Sequence, residues 1–507
     1  MEDLISLVNL TTKQKIRQIE IVGRKTSATQ GKLDKLFAGI ANGRFLNDDS
    51  ALEELYGPDP SETTRAAYQK LKLRLQKRLY NTVFFISPNE ARYKKTQTAY
   101  YYCFKQLAAV KILIGKGARK AAIPLAEKTL RKAMKFEITQ VAMELAADLR
   151  IHYAVNGGTE AQCRYYDKIV EDYSELRHAE QEAEKYYALL MVKATRKRST
   201  DPVLYQEAKE YSEKLKKTFK QLNVKSFRFS QLYFMVRILQ HEIQGDSRKT
   251  IEVCDEAIEY FGKNKRGAHN TIQFTFAFKK LQAFIQAKQY EAARQAATDC
   301  EQLLDKQKAY SDWLHVQYCR ILLCFRTGEY KEAFDIYHQA KSNKEQFNRQ
   351  YQVAQERWTL INAYLQFLIS IGKITPPEPQ KFQKFRIGRM LNELPIFSKD
   401  KFGYNIDLIA LNVLFSLHRK RFNIIIDKME SWKTYIYRLQ QKKRPKNRGL
   451  YFLHMLLCLP SANFHPVAVE RHAADWLKKL RNAQMDTEME IIPYETLWEF
   501  IHDLLSQ

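Results

Sequence analysis

Lys70, Lys72, Arg74, Lys77 and Arg78 put five cations within nine positions, and Arg92, Lys94 and Lys95 follow a short way on. Lys442, Lys443, Arg444, Lys446 and Arg448 put five more within seven. Guanidinium and ammonium groups at this density suit the capture of phosphate or carboxylate oxygens. The charge is local. Residues 61–135 hold 18 Lys/Arg against three acids, a net of +15; residues 373–448 hold 18 against six, a net of +12. The whole chain is +26, so everything outside these two stretches sums to −1. Two positive fields on a near-neutral body point to surfaces that hold something anionic. Tyr100, Tyr101, Tyr102 and Phe104 fall inside the first stretch. Aromatics interleaved with cations suit single-stranded nucleic acid, because bases stack while Lys and Arg follow phosphates. For most of these aromatics the favoured reading is that they fill the wide grooves between repeat helices.

No catalytic or cofactor motif accompanies the cations. Gly115-Lys116-Gly117 lacks both the spacing and the Ser/Thr of a phosphate loop. His241-Glu242 lacks the second His of a zinc helix, and Cys319 and Cys324 fall on different helix faces without a partner pair. The 11 histidines are scattered. The sequence therefore reads as non-enzymatic, with no cofactor and no metal.

Helices must position these groups. Gly and Pro are few, at 17 and 13 of 507 residues, and Leu, Ala, Lys, Glu and Gln dominate. Leu71, Leu75 and Leu79 recur at helical spacing, so the alternation around them is a helix face rather than a strand. Small residues near helix starts recur at 122, 163, 208, 250, 293 and 333, separated by 41, 45, 42, 43 and 40. Two antiparallel helices of this length cannot bury their apolar faces alone, and stacking the pairs buries a continuous core. The fold class expected is all-α: an α-solenoid of antiparallel helix pairs, period about 40–45, with helical caps at both ends.

The clearest copy, Gly328-x-Tyr330-x-x-Ala333-x-x-x-Tyr337-x-x-Ala340, resembles the tetratricopeptide family. The resemblance is partial at the other copies and covers about 120–340. The period is longer than that family's, and its first-helix Trp signature is absent. The resemblance implies an interaction scaffold with a concave binding face and transfers no ligand.

The flanks differ. Helices are expected near 3–28, 31–41 and 49–56, the last capped by Asp48 or Asp49. Gly57-Pro58-Asp59-Pro60 breaks the chain, and Ser61-Glu62 opens a long basic helix. Short helix, tight turn and basic helix resemble a helix-turn-helix reader; the other reading is a capping bundle with solvated Lys and Arg. Pro376, Pro377 and Pro379 close the regular array. Pro445 and Gly449 make the second basic tract a loop, expected to be exposed. The segments expected are thus an N-terminal cap (1–60), a basic segment (61–135), repeats (136–372), a second basic segment (373–448) and a C-terminal cap (449–507).

Seven scattered cysteines without a CxxC pair, and Met1-Glu2-Asp3 without a basic start, place the protein in the cytoplasm. The longest uncharged run, 449–469, carries two His and two Pro and does not read as a membrane span. Function reads as a helical-repeat scaffold for a protein partner, with basic surfaces that dock an anionic partner. The alternative is a protein that binds RNA or DNA backbone through 61–135 and 373–448.

Overall fold

The computed structural model describes residues 1–13, 31–83, 95–196, 202–222, 226–263, 269–304, 309–348, 350–376, 404–441, 448–483 and 490–507. Among them are 22 α-helices and no strand. Contacts divide the chain into two compact units, Met1–Val141 and Ala142–Gln507.

In the first unit, α1 (Glu2–Lys13), α2 (Lys32–Ala41), α3 (Asp48–Tyr56) and α4 (Glu62–Val83) share one core of Leu4, Val8, Leu36, Ile40, Phe45, Leu52, Tyr68, Leu75 and Leu79. The basic helix α4 is thus built into the bundle formed by 1–60. The cap of α3 is Asn47, whose Oδ1 accepts the Ser50 N–H at 2.9 Å, rather than Asp48 or Asp49. Asp48 lies in the first helical turn, where its carboxylate is directed at α4. α5 (Lys95–Gly115) and α6 (Arg119–Lys135) form a helical hairpin. α7 (Thr139–Val155) spans the division.

The second unit is an α-solenoid. It opens with α8 (Glu160–Arg196), a single helix of 37 residues. Tyr166, Ile169, Tyr173, Leu176, Ala183, Tyr186 and Leu190 lie buried along it at alternating spacings of three, four and seven, one unbroken stripe that keeps the helix continuous. Then come α9 (Pro202–Gln221), α10 (Phe227–Gln244), α11 (Ser247–Lys263), α12 (His269–Gln286), α13 (Tyr290–Gln302), α14 (Tyr310–Thr327), α15 (Tyr330–Lys341), the short α16 (Lys344–Asn348) and α17 (Gln352–Ser370). From α8 to α15 each helix packs on its successor, and the short turns make neighbours antiparallel. The remaining helices are α18 (Tyr404–His418), α19 (Phe422–Gln441), α20 (Arg448–Ser461), α21 (Pro466–Asn482) and α22 (Tyr494–Leu505). They share one continuous core with α14, α15 and α17.

The small anchors serve packing as expected. Ala208, Ala293 and Ala333 are fully buried in the second unit, and Ala122 is fully buried in the first. Cys163 is the exception: it is only half-buried near the start of α8. The turns share a left-handed residue at 245, 288, 328 and 372, separated by 43, 40 and 44. After each, an N–H reaches five residues back: Asp246 to His241 at 3.0 Å, Gln289 to Phe284 at 3.0 Å, Glu329 to Cys324 at 2.9 Å and Lys373 to Leu368 at 2.9 Å. Glycine fills three of these positions; Lys288, at φ 58°, accepts the steric cost of the fourth.

Ala333→Leu forces extra methylenes into a helix–helix contact with no free volume, and is expected to lower unfolding free energy by about 1–3 kcal/mol in urea titrations. Ser at the same position should cost less, because it adds one small atom.

Candidate functional site

α4 exists because one face is apolar at helical spacing. Tyr68, Leu75, Leu79 and Thr82 turn inward. The opposite face therefore has to carry Lys70, Leu73, Arg74, Lys77 and Tyr80, all exposed. Lys72 stands between the two faces. Its Nζ lies 2.6 Å from Asp48 Oδ1, and the Tyr68 hydroxyl donates to the same oxygen at 2.9 Å. Burial alone would raise the Asp48 pKa; the hydrogen bonds from Lys72 and Tyr68, with the Lys72 charge, outweigh it and hold the carboxyl below its ordinary 3.8. Burial and then the Asp48 carboxylate push the Tyr68 phenol upward. Lys72 thus serves the bundle, and Lys70, Arg74 and Lys77 make up the outward face. Arg78 is half-buried.

The α5–α6 hairpin carries the remaining charge of this segment. Ala99, Cys103 and Val110 bury one side of α5 against Ala122, Ala126, Leu130 and Ala133 country on α6, which leaves Tyr100, Tyr101 and Lys105 exposed. Lys132 Nζ sits 3.7 Å from the centre of the Tyr102 ring, a cation–π contact that places the end of α6 beside the start of α5. Lys128, Arg131 and Lys135 are exposed on α6 at helical spacing. These three belong to the basic segment but escape a search for dense runs. Their i, i+3, i+7 spacing is the signal that locates them on one face.

The other candidates separate. Arg92, Lys94, Lys442, Lys443, Arg444 and Lys446 lie outside the described residues, and Lys95 is the first residue of α5. Arg448 and Gly449 were expected in an exposed loop. They instead open α20 as buried residues. The Arg448 Nε donates to Glu490 Oε1 at 2.6 Å, one Nη to Glu495 Oε2 at 2.5 Å and the other to the Leu480 carbonyl at 2.8 Å. Burial lowers its pKa, and the Glu490 and Glu495 contacts more than reverse this. Sequence reading counted Arg448 with its neighbours because its partners lie 42 and 47 residues downstream.

In the second unit several cations are matched by carboxylates of other helices of the array. Lys279 meets Glu242 at 2.8 Å, Lys280 meets Asp255 at 2.6 Å and Arg237 meets Glu256 at 2.5 Å, each across helices. Cys324, Glu329 and Glu332 come close enough to hold a cation, yet Arg294 already pairs with both carboxylates. Burial pushes the thiols of Cys254, Cys300, Cys319 and Cys324 up to about 12, far from the thiolate that a nucleophile or metal ligand needs.

No known protein family, curated protein or solved structure matches the chain. Among the described residues no helix is long and apolar enough to cross a membrane.

Replacing Arg448 with Met leaves Glu490, whose side chain is 7% exposed, as a buried charge without its partner. The expected loss is about 3–5 kcal/mol of stability in denaturant titrations, partly recovered when Glu490→Gln is added. Asp48 gives a pH signature of opposite origin. Because its folded pKa is lowered, its stabilisation is complete above the ordinary carboxylate range and fades as pH falls through the folded value. Urea midpoints compared between pH 7 and pH 3 should fall less for Asp48→Asn than for the unaltered protein.

Proposed function

We propose that this protein is a non-catalytic helical-repeat scaffold of the tetratricopeptide-like kind. Its array holds a protein partner, and the basic faces of α4 and of α6 in its first unit dock an anionic one. One observation carries the reading. Lys70, Arg74, Lys77, Lys128, Arg131 and Lys135 are exposed, and none forms an ion pair with a carboxylate among the described residues. The array's cross-helix cations, by contrast, meet carboxylates of their own chain. Like charges held together repel, so a surface that keeps them without internal partners is matched by an external anion. The motif Gly328–Ala340 and the stacked pairs support the tetratricopeptide-like assignment. Free thiols, five of seven buried, fit a reducing cytoplasm. RNA or DNA as the anionic partner is a second reading, favoured by the exposed rings of Tyr100 and Tyr101.

Heparin supplies a simple polyanion probe. The full-length protein should bind it with an affinity that falls steeply as salt rises, and joint replacement of Lys70, Arg74, Lys77 and Arg131 by Glu should weaken binding by about tenfold or more and flatten that slope. Equal binding by both proteins, or none at low salt, overturns the reading.

A further inference from the structure

We propose that the outer face of α4 is a docking site for an acidic amphipathic helix of another protein, a reading that rests on the anion-docking role above and names its partner. Ala66, Lys70, Leu73, Lys77 and Tyr80 are exposed along α4 at steps of four, three, four and three. Steps that average 3.5 residues are the spacing of a coiled-coil seam, where side chains meet one facing helix along its length. Leu73 is 64% exposed and Tyr80 52% exposed, so two large apolar groups stand at alternate seam positions. Lys70 and Lys77 hold the positions between, and Arg74 flanks Leu73. None of these three cations pairs with a carboxylate among the described residues. The bundle does not account for this stripe, because α4 already turns Tyr68, Leu75, Leu79 and Thr82 inward.

The alternation selects the partner. A facing helix with Leu or Ile opposite Leu73 and Tyr80, and Glu or Asp opposite Lys70, Lys77 and Arg74, buries the apolar groups and matches the charges together. A phosphate chain or a sulfated sugar is met by the cations and leaves Leu73 in water. A lipid surface takes up a broad apolar face. Here Leu73 and Tyr80 stand in single file with lysines in line between them, and the wide apolar face of α4 is already in the bundle. A second copy of the same face is excluded by charge, since it brings Lys70, Arg74 and Lys77 against their own kind. Gln76 Nε2 donates to the Tyr80 hydroxyl at 3.1 Å and steadies that ring at the edge of the seam.

The test uses full-length protein and synthetic helices of about three heptads. The matched peptides carry Glu and Leu alternately at steps of three and four, one peptide for each chain direction. The control has the same composition with Glu and Leu moved off that spacing. Heparin and vesicles of phosphatidylcholine with phosphatidylserine are the remaining probes. One matched peptide should bind about tenfold more tightly than the control, or better. Leu73→Ala puts a strong helix former at an exposed position, and unchanged helicity and melting are checked. It should weaken the matched peptide about tenfold and leave heparin binding unchanged. Lys70→Glu with Lys77→Glu should lose the acidic peptide and gain its counterpart in which Lys replaces Glu. If matched and control peptides bind alike, if Leu73→Ala lowers peptide and heparin affinity equally or not at all, or if the charge reversal gains nothing, the helix site is wrong, while heparin binding keeps the anion-docking reading. If vesicle binding and not peptide binding depends on Leu73, the face is a lipid contact and the helix site is equally wrong. If the unaltered protein binds neither peptide nor heparin at low salt, the anion-docking reading fails and takes this site with it.

Discussion

The close approach of paired helices governs this fold. Two helices of this length meet along a line, and the distance between them is set by the side chains at the crossing. Ala208, Ala293 and Ala333 have no exposed surface, so the crossings have no slack. Each tight crossing fixes the direction of the next helix, and the left-handed turns at Gly245, Lys288 and Gly328 reverse the chain within two or three residues. Large side chains fill the space around these crossings. Phe219, Phe234, Tyr260, Phe261 and Phe276 form a linked set of ring contacts from α9 to α12. Small residues at the crossings and rings beside them divide the packing work.

Charge obeys the same separation. Within the array, a cation on one helix meets a carboxylate on a neighbouring one, as Lys280 of α12 meets Asp255 of α11. In the first unit, Lys72 of the α4 cluster is tied to the bundle in this way, through Asp48. Its neighbours Lys70, Arg74 and Lys77 project outward because Leu75 and Leu79 take the inward positions. The division of labour between structural and surface cations is therefore decided by helical phase, one residue at a time.

Much of this is readable before folding. The all-helical class, the period and the buried anchors follow from small residues at regular spacing, and helices at 404–418 and 494–505 follow from apolar periodicity. What is not readable depends on partners distant in sequence or on backbone conformation that composition does not encode. Lys288 occupies a left-handed turn where glycine would be looked for. Asp48 looks like a cap and is an ion-pair partner, because Asn47 one position earlier already supplies the capping oxygen. The α6 cations are spread along a helix face and gain meaning only when Lys132 reaches Tyr102. Arg448 sits at the end of a basic run and is buried, since only the fold brings Glu490 and Glu495 to it.

The segment that begins at Glu490 has a consequence in time. Most contacts of the array join neighbours in sequence, so each pair can form as it leaves the ribosome. The C-terminal part cannot finish that way. Arg326 donates to the Glu490 carbonyl at 2.6 Å across 164 residues, and Arg448 needs the Glu490 and Glu495 carboxylates. Until residues 490–495 are synthesised, two guanidinium groups stand in the growing chain without the partners that let them be buried. Residues 490–495 thus act as a latch, and a nascent chain stalled before them would present an unfinished edge to chaperones and proteases.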